Sequence, residues 1–252
     1  MKLNRLFILF LFLFSLSCMA NDNNITLDSA NVAYAKGNYE KAIKLYETII
    51  IQGQTAPELY FNLGNAYYKS NNIGYAILNY ERAKKLSPDD DDITVNLKLA
   101  NQKTEDKIEA APQLFLTTWK NGLVDLMSEK GWSELCILLN VFALLLFIIY
   151  IFTSNKAIKQ IGFFGGCFLM VTTIAIYFIA KHKYELTQTS TTAVITSAAV
   201  TVYGSPNEKG TKLFILHEGT KVNINEEDGG WTEIKIANGN VGWLPVKSLS
   251  AI

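Results

Sequence analysis

The residue types that most often carry covalent or metal chemistry are few in this sequence and lie far apart. Three cysteines and two histidines occur among its 252 residues. Cys136 and Cys167 lie in apolar runs, and His217 has no second histidine or cysteine close to it in the sequence. A metal site needs several clustered ligands, and a nucleophile needs an adjacent base. We therefore predict that the chain is not an enzyme and that it holds no metal or other cofactor.

The charged residues argue against two further functions. Lys and Arg total 23, as do Asp and Glu, so no overall basic field is expected to attract nucleic acid or anionic lipid. The run Asp89–Asp92 lacks the alternating ligands, the glycine and the distal glutamate of a calcium loop. We interpret these aspartates as the N-cap and solvated first turn of a helix.

Residues 1–20 have the anatomy of a secretory signal peptide. Two basic residues precede an apolar core, Leu6–Leu16, and small residues follow it. We predict cleavage before Asn21. An uncleaved anchor is one alternative, and a lipid on Cys18 is another, although Ser15 stands where lipoprotein signals usually carry leucine. All three interpretations export the segment that follows.

Residues 21–111 contain an internal repeat. Ala42 and Tyr46 recur as Ala76 and Tyr80, a spacing of 34 residues (76 − 42), which is the tetratricopeptide period. Gly64 and Ala76 would let two antiparallel helices approach closely. We predict two repeats followed by a terminal capping helix, since Lys98 replaces the small residue expected in a third copy.

The first helices of tetratricopeptide repeats line a concave groove that binds peptides, and this chain resembles that family. The corresponding positions here are Leu27, Asn31, Tyr34, Phe61, Asn65, Tyr68 and Lys69. Asn31 and Asn65 lie one period apart, and an amide can offer both a donor and an acceptor to the backbone of an extended peptide. The alternative is that two repeats are too short to hold a peptide and that these are ordinary surface residues.

Residues 112–133 are predicted to form a juxtamembrane amphipathic helix. Phe115, Trp119, Leu123 and Met127 recur every four residues and form one apolar stripe. That stripe either lies in the membrane interface, with Trp119 and Trp132 at headgroup depth, or packs against the repeats.

Two transmembrane helices are predicted at residues 134–153 and 161–180, joined by a cytoplasmic loop at 154–160. Asn140 is strongly polar within the first span, and small residues lie near the start of the second: Gly162, Gly165 and Gly166. These residues contact either the other span or a partner subunit. Residues 181–192 are interpreted as a linker.

Residues 193–252 alternate short Val/Ile/Thr-rich runs with turn residues, which is typical of a small antiparallel barrel. The order of strands, with the first at Val200–Ser205 and a hairpin turn at Asn238-Gly239, resembles a bacterial SH3 domain. Its candidate ligand face comprises Tyr203, Trp231 and Trp243. We expect Trp243 to seal the core of the barrel, whereas both roles stay open for Trp231.

The fold class is therefore multidomain: an all-α tetratricopeptide solenoid, a transmembrane helical hairpin and a small all-β SH3-like barrel. This order of segments resembles the BatE-like tetratricopeptide membrane proteins of the bacterial aerotolerance operon. The resemblance implies an inner-membrane scaffold with both modules in the periplasm. It also implies partner membrane proteins with von Willebrand factor A domains and a role in oxidative-stress tolerance. A cell-envelope sensor that binds peptidoglycan or peptide through the barrel is the alternative.

Overall fold

The computed structural model describes residues 21–112, 115–185 and 191–252. The predicted signal peptide, including Cys18, lies outside the described residues. The described residues before Glu109 form one compact unit together with Thr192–Ile236 and Asn240–Ile252. The described part of Glu109–Thr191 forms a second unit with Ala237–Gly239.

The first unit begins with five helices. They are α1 (Asn21–Ala35), α2 (Tyr39–Ile51), α3 (Pro57–Lys69), α4 (Ile73–Leu86) and α5 (Asp91–Gln102). The side chain of Asp90 caps α5 by accepting hydrogen bonds from the backbone N–H groups of Asp92 and Ile93. The capping role predicted for the aspartate run is therefore confirmed.

The small residues of the repeat lie at the centre of the helical core. Ala42 and Ala76 are fully buried, and Tyr46 and Tyr80 are almost so. Gly64 faces the ring of Tyr80, as the predicted close approach of two helices requires.

The same unit contains seven strands. They are β1 (Thr192–Ile195), β2 (Ala199–Tyr203), β3 (Lys212–His217), β4 (Lys221–Asp228), β5 (Trp231–Lys235), β6 (Val241–Pro245) and β7 (Leu249–Ala251). They form one antiparallel sheet in the order β3-β2-β6-β5-β4-β1-β7. Strands β5 and β6 are joined by the predicted turn at Asn238-Gly239, where Gly239 has a φ of +93°.

The sheet is not closed into the predicted barrel, because its outer strands β3 and β7 do not pair with each other. The guanidinium group of Arg82 on α4 donates instead to the carbonyl of Ala251, over 2.7 Å from Nη2. The ammonium group of Lys85 donates to the carbonyl of Ile252 over 3.0 Å. Helix α4 therefore covers the edge that a closing strand would occupy.

The core of the sheet is aliphatic. Buried side chains from six strands form one cluster that includes Ile195, Val202, Leu216, Ile234 and Leu244. The prediction that Trp243 seals this core is wrong. Its neighbours Gly242 and Leu244 are buried, so the alternation of the strand puts the half-buried Trp243 on the opposite face.

The second unit contains three helices, α6 (Phe115–Val124), α7 (Glu129–Phe152) and α8 (Lys156–Tyr184). Helices α7 and α8 are long and apolar enough to cross a membrane, and their most apolar 18-residue windows have mean hydropathies of 2.9 and 2.1. Only 6% and 11% of their most apolar windows are buried, unlike the core helix of a soluble protein. Helix α8 extends further at both ends than the predicted span, into the segments interpreted as loop and linker.

Helices α7 and α8 pack against each other through small residues. A Cβ added to Gly162 would lie 2.8 Å from the backbone oxygen of Leu146, and one added to Gly166 would lie 3.0 Å from the ring of Phe147. The close contact between α7 and α8 therefore explains why glycine occurs at both positions. The amide of Asn140 donates to the carbonyl of Cys136 in its own helix over 3.0 Å.

Candidate functional site

Asn31 and Asn65, the two predicted groove amides, make the same internal hydrogen bond in successive repeats. The hydroxyl of Tyr46 donates to Oδ1 of Asn31 over 2.6 Å, and that of Tyr80 donates to Oδ1 of Asn65 over 2.7 Å. Burial raises the pKa of Tyr46 to about 12, and it also raises the pKa of Tyr80. Both phenols thus stay protonated donors. Oδ1 of Asn65 accepts a second bond, from Asn96, so the amide nitrogen is the group with which Asn65 would contact a peptide backbone.

Helix α5 lies alongside α3 and extends the surface that carries Asn65. The amide of Asn96 donates to Oδ1 of Asn65 over 2.9 Å, and Nζ of Lys103 stands 4.1 Å from the ring centre of Tyr68. The lysine therefore lies within cation–π range of that ring.

Two exposed apolar residues of α5, Val95 and Leu99, were missed by the sequence analysis, and the helical period puts Leu99 beside Asn96 and Lys103 on this surface. They are 54% and 45% exposed. Val95 precedes Leu99 by one helical turn, and Leu99 precedes Lys103 by one more. The 34-residue period would have identified both positions, because Val95 and Leu99 follow Phe61 and Asn65 by 34 residues (95 − 61 and 99 − 65). Helix α5 is thus more than a polar cap, since it presents apolar side chains at groove positions.

The remaining predicted groove residues divide between core and surface. Leu27, Tyr34, Phe61 and Tyr68 are half-buried against the core of the helices, whereas Lys69 is exposed. The ring of Phe61 lies 6.0 Å from that of Tyr80, centre to centre. These aromatic residues hold the helices together and also leave part of their surface available to a ligand.

Comparison with known families bears on these helices. A family model described as "TPR repeat" matches residues 30–71, and one described as "Tetratricopeptide repeat" matches residues 57–90. The helices contain tetratricopeptide repeats. The predicted repeat is thereby confirmed, and a role in binding other proteins follows from it. The comparison with curated proteins found no match for the chain.

The three aromatic residues predicted as a ligand face of the β domain do share one surface. Tyr203 is paired with Trp243 across β2 and β6, and Trp231 is paired with Pro245 across β5 and β6. The rings of Tyr203 and Trp231 meet edge to face with their centres 5.6 Å apart. All of these residues are half-buried on the face opposite the aliphatic core.

The tetratricopeptide domain and the β domain are joined by a cluster of polar contacts around Asp106, which follows α5. Its carboxylate accepts hydrogen bonds from the backbone N–H of His217 over 2.7 Å and from the hydroxyl of Thr220 over 2.6 Å. Nδ1 of His217 lies 2.8 Å from the other carboxylate oxygen. His217 is thus a half-buried structural residue.

The same contacts shift the pKa values of both partners. Burial alone would raise the pKa of Asp106, but the hydrogen bonds from His217 and Thr220 outweigh it and hold that pKa below its ordinary value. The hydrogen bond to Asp106 raises the pKa of His217, and the nearby carboxylate of Glu105 adds to this effect. The two groups therefore stabilise each other's charged form.

Proposed function

We propose that this chain is a non-enzymatic, membrane-anchored adaptor whose tetratricopeptide groove holds an extended segment of a partner protein. The observation that carries the proposal is the surface shared by α3 and α5. It combines half-buried aromatic rings with the exposed apolar Val95 and Leu99, which peptide grooves use for side-chain specificity. The exposed ammonium group of Lys69 favours an acidic or neutral segment.

We further propose that the adaptor belongs to a bacterial inner-membrane complex, with both the tetratricopeptide and β domains in the periplasm. Helices α7 and α8 supply the anchor, and the predicted signal peptide supplies the direction of export. The proposed partners are membrane proteins that carry von Willebrand factor A domains, in an aerotolerance-type complex. The order of segments along the chain supports this proposal, because it resembles that of the BatE-like proteins.

The test is in-cell crosslinking of the full-length protein, followed by identification of the captured proteins by mass spectrometry. The double variant Val95→Asn/Leu99→Asn changes the groove at two exposed positions, so the fold should persist. Asn65 is unsuitable for this purpose, because its removal would leave Tyr80 and Asn96 without their acceptor.

The matched control is Val32→Asn/Ile51→Asn, which changes two exposed apolar residues elsewhere on the repeats. We expect one membrane protein with an exported domain to be captured by the wild type and the control, and lost from the groove variant. Equal capture by all three proteins would contradict the groove proposal.

A second candidate function rests on the aromatic face of the β domain. Tyr203, Trp231 and Trp243 could stack against a cell-wall fragment, which would make the protein an envelope sensor. Co-sedimentation of the full-length protein with purified peptidoglycan tests this idea. Loss of binding in Trp231→Ala/Trp243→Ala, but not in the exposed-strand control Leu213→Ala/Ile215→Ala, would favour the sensor over the adaptor.

A further inference from the structure

Helix α6 and the end of α8 enclose a cleft of about 450 Å³ in the second unit. Its walls include the apolar side chains of Trp119, Leu123 and Phe178, and the basic side chains of Lys120, Lys181 and His182. One cleft thus offers an apolar wall and several basic side chains, and the carboxylate of Glu185 also belongs to its lining.

Two polar contacts hold α6 in place beside the helical hairpin. The indole N–H of the buried Trp132 on α7 donates to the carbonyl of Val124 over 3.0 Å. The ammonium group of Lys183 on α8 lies 2.7 Å from the carboxylate of Asp125. The cleft is therefore built by tertiary contacts from both long helices and does not depend on α6 alone.

The position of the cleft along α8 matches the boundary between hydrocarbon and headgroups. Phe178 belongs to the last apolar turns of this helix, and the basic run Lys181–Lys183 follows immediately. On α6, Phe115 and Trp119 are 79% and 61% exposed on one face. Aromatic and basic residues at the end of a membrane-length helix are typical of the interface.

We infer that this cleft binds one glycerophospholipid with an anionic headgroup. The phosphate would lie against Lys120 and Lys181, and an acyl chain would lie along Leu123 and Phe178. Lys181 also stands 3.8 Å from Glu185, but both side chains are half exposed, so this ion pair is weak and a phosphate can displace it. The inference rests on the membrane anchoring in the proposed function.

The test is native mass spectrometry of the full-length protein, released from detergent that contains equal amounts of phosphatidylglycerol and phosphatidylcholine. We expect the wild type to retain one phosphatidylglycerol in preference to phosphatidylcholine. The preference should fall roughly tenfold in Lys120→Gln/Lys181→Gln, because juxtamembrane lysines attract anionic lipid electrostatically.

The matched control is Lys130→Gln/Lys156→Gln, which removes the same charge from the start of α7 and the start of α8. It should keep the preference of the wild type. Equal retention of both lipids by the wild type, or an equal loss of preference in the two double variants, would overturn the inference. A protein that is extracted from membranes by carbonate would instead contradict the anchoring, so the two failures can be told apart.

Discussion

Gly64 faces the ring of Tyr80 with no space for a side chain. An added Cβ would lie 2.7 Å from Cδ1 and 2.8 Å from Cε1 of the ring. We expect Gly64→Ala to destabilise the tetratricopeptide domain by about 1–3 kcal/mol, because the buried tyrosine must shift within a packed core. Thermal unfolding of the full-length protein in detergent, followed by circular dichroism, measures the effect.

Gly122→Ala on α6 is the control for this prediction. Apart from the helix's own nearby backbone, no described atom lies within 4 Å of the added Cβ, so this change should be neutral or slightly stabilising in a helix. An unfolding temperature lowered equally by both changes would contradict the steric explanation.

The contact between His217 and Asp106 makes the attachment of the β domain dependent on pH. Because the pKa of His217 is raised, the contact contributes its full stability below pH 6.5, the ordinary pKa of histidine. This stability is lost as the pH rises through the raised pKa. Because the pKa of Asp106 is lowered, the contact also contributes stability above pH 3.8, the ordinary pKa of aspartate. This stability is lost as the pH falls through the lowered pKa. We therefore expect this contact to be strongest between about pH 4 and pH 6.5.

An NMR titration of His217 tests the pairing directly. Its pKa should lie above 6.5 in the wild type and move back towards 6.5 in Asp106→Asn. The unfolding temperature of the wild type should fall between pH 6 and pH 8. In Asp106→Asn this fall should be smaller. An unchanged histidine titration would show that Asp106 is not its partner.

At the scale of elements, strand β7 depends on helix α4 for its outer edge. Arg82 donates two hydrogen bonds, at 3.2 Å and 2.7 Å, to the carbonyl of Ala251. We expect Arg82→Ala to destabilise this edge by about 1–3 kcal/mol, since the bonds come from a charged donor. Hydrogen exchange should become faster in β7 and β1 and stay unchanged in α1.

Lys84→Ala, on the same helix, provides the comparison for Arg82→Ala. It should leave the exchange of β7 and β1 at the rate of the wild type. Faster exchange spread evenly over all helices and strands of the first unit would instead mean that Arg82 stabilises the whole unit.

At the scale of the whole molecule, the first unit is built from segments on both sides of the helical hairpin in the sequence. If α7 and α8 cross a membrane as proposed, those segments lie on one side of it, because the number of crossings between them is even. We expect a membrane-impermeant thiol reagent to label Asp89→Cys and Asn207→Cys from the same side of sealed vesicles, and Ser154→Cys from the other.

The labelling requires a background in which the three native cysteines are replaced by serine. Labelling of Asp89→Cys and Asn207→Cys from opposite sides would contradict the two-span topology. It would also be incompatible with a first unit that contains both domains.

Local patterns in the sequence were enough to predict the helical repeats and the two long apolar helices. The 34-residue period relates Ala42 to Ala76 and Tyr46 to Tyr80, and the apolar residues run on over the length of a membrane span. Each pattern reflects one repeated local requirement, which is close packing in the repeats and contact with lipid in the proposed membrane anchor, so it can be identified from neighbouring residues. The aromatic residues of the β domain were likewise found from their types alone.

Only the tertiary structure decided how distant segments meet. The bonds from Arg82 to Ala251 and from His217 to Asp106 join residues 169 and 111 positions apart. The covered edge of the sheet and the attachment of the β domain through Asp106 follow from such contacts. They leave no periodic trace in the sequence, because a single long-range hydrogen bond constrains two residues and not the pattern around them.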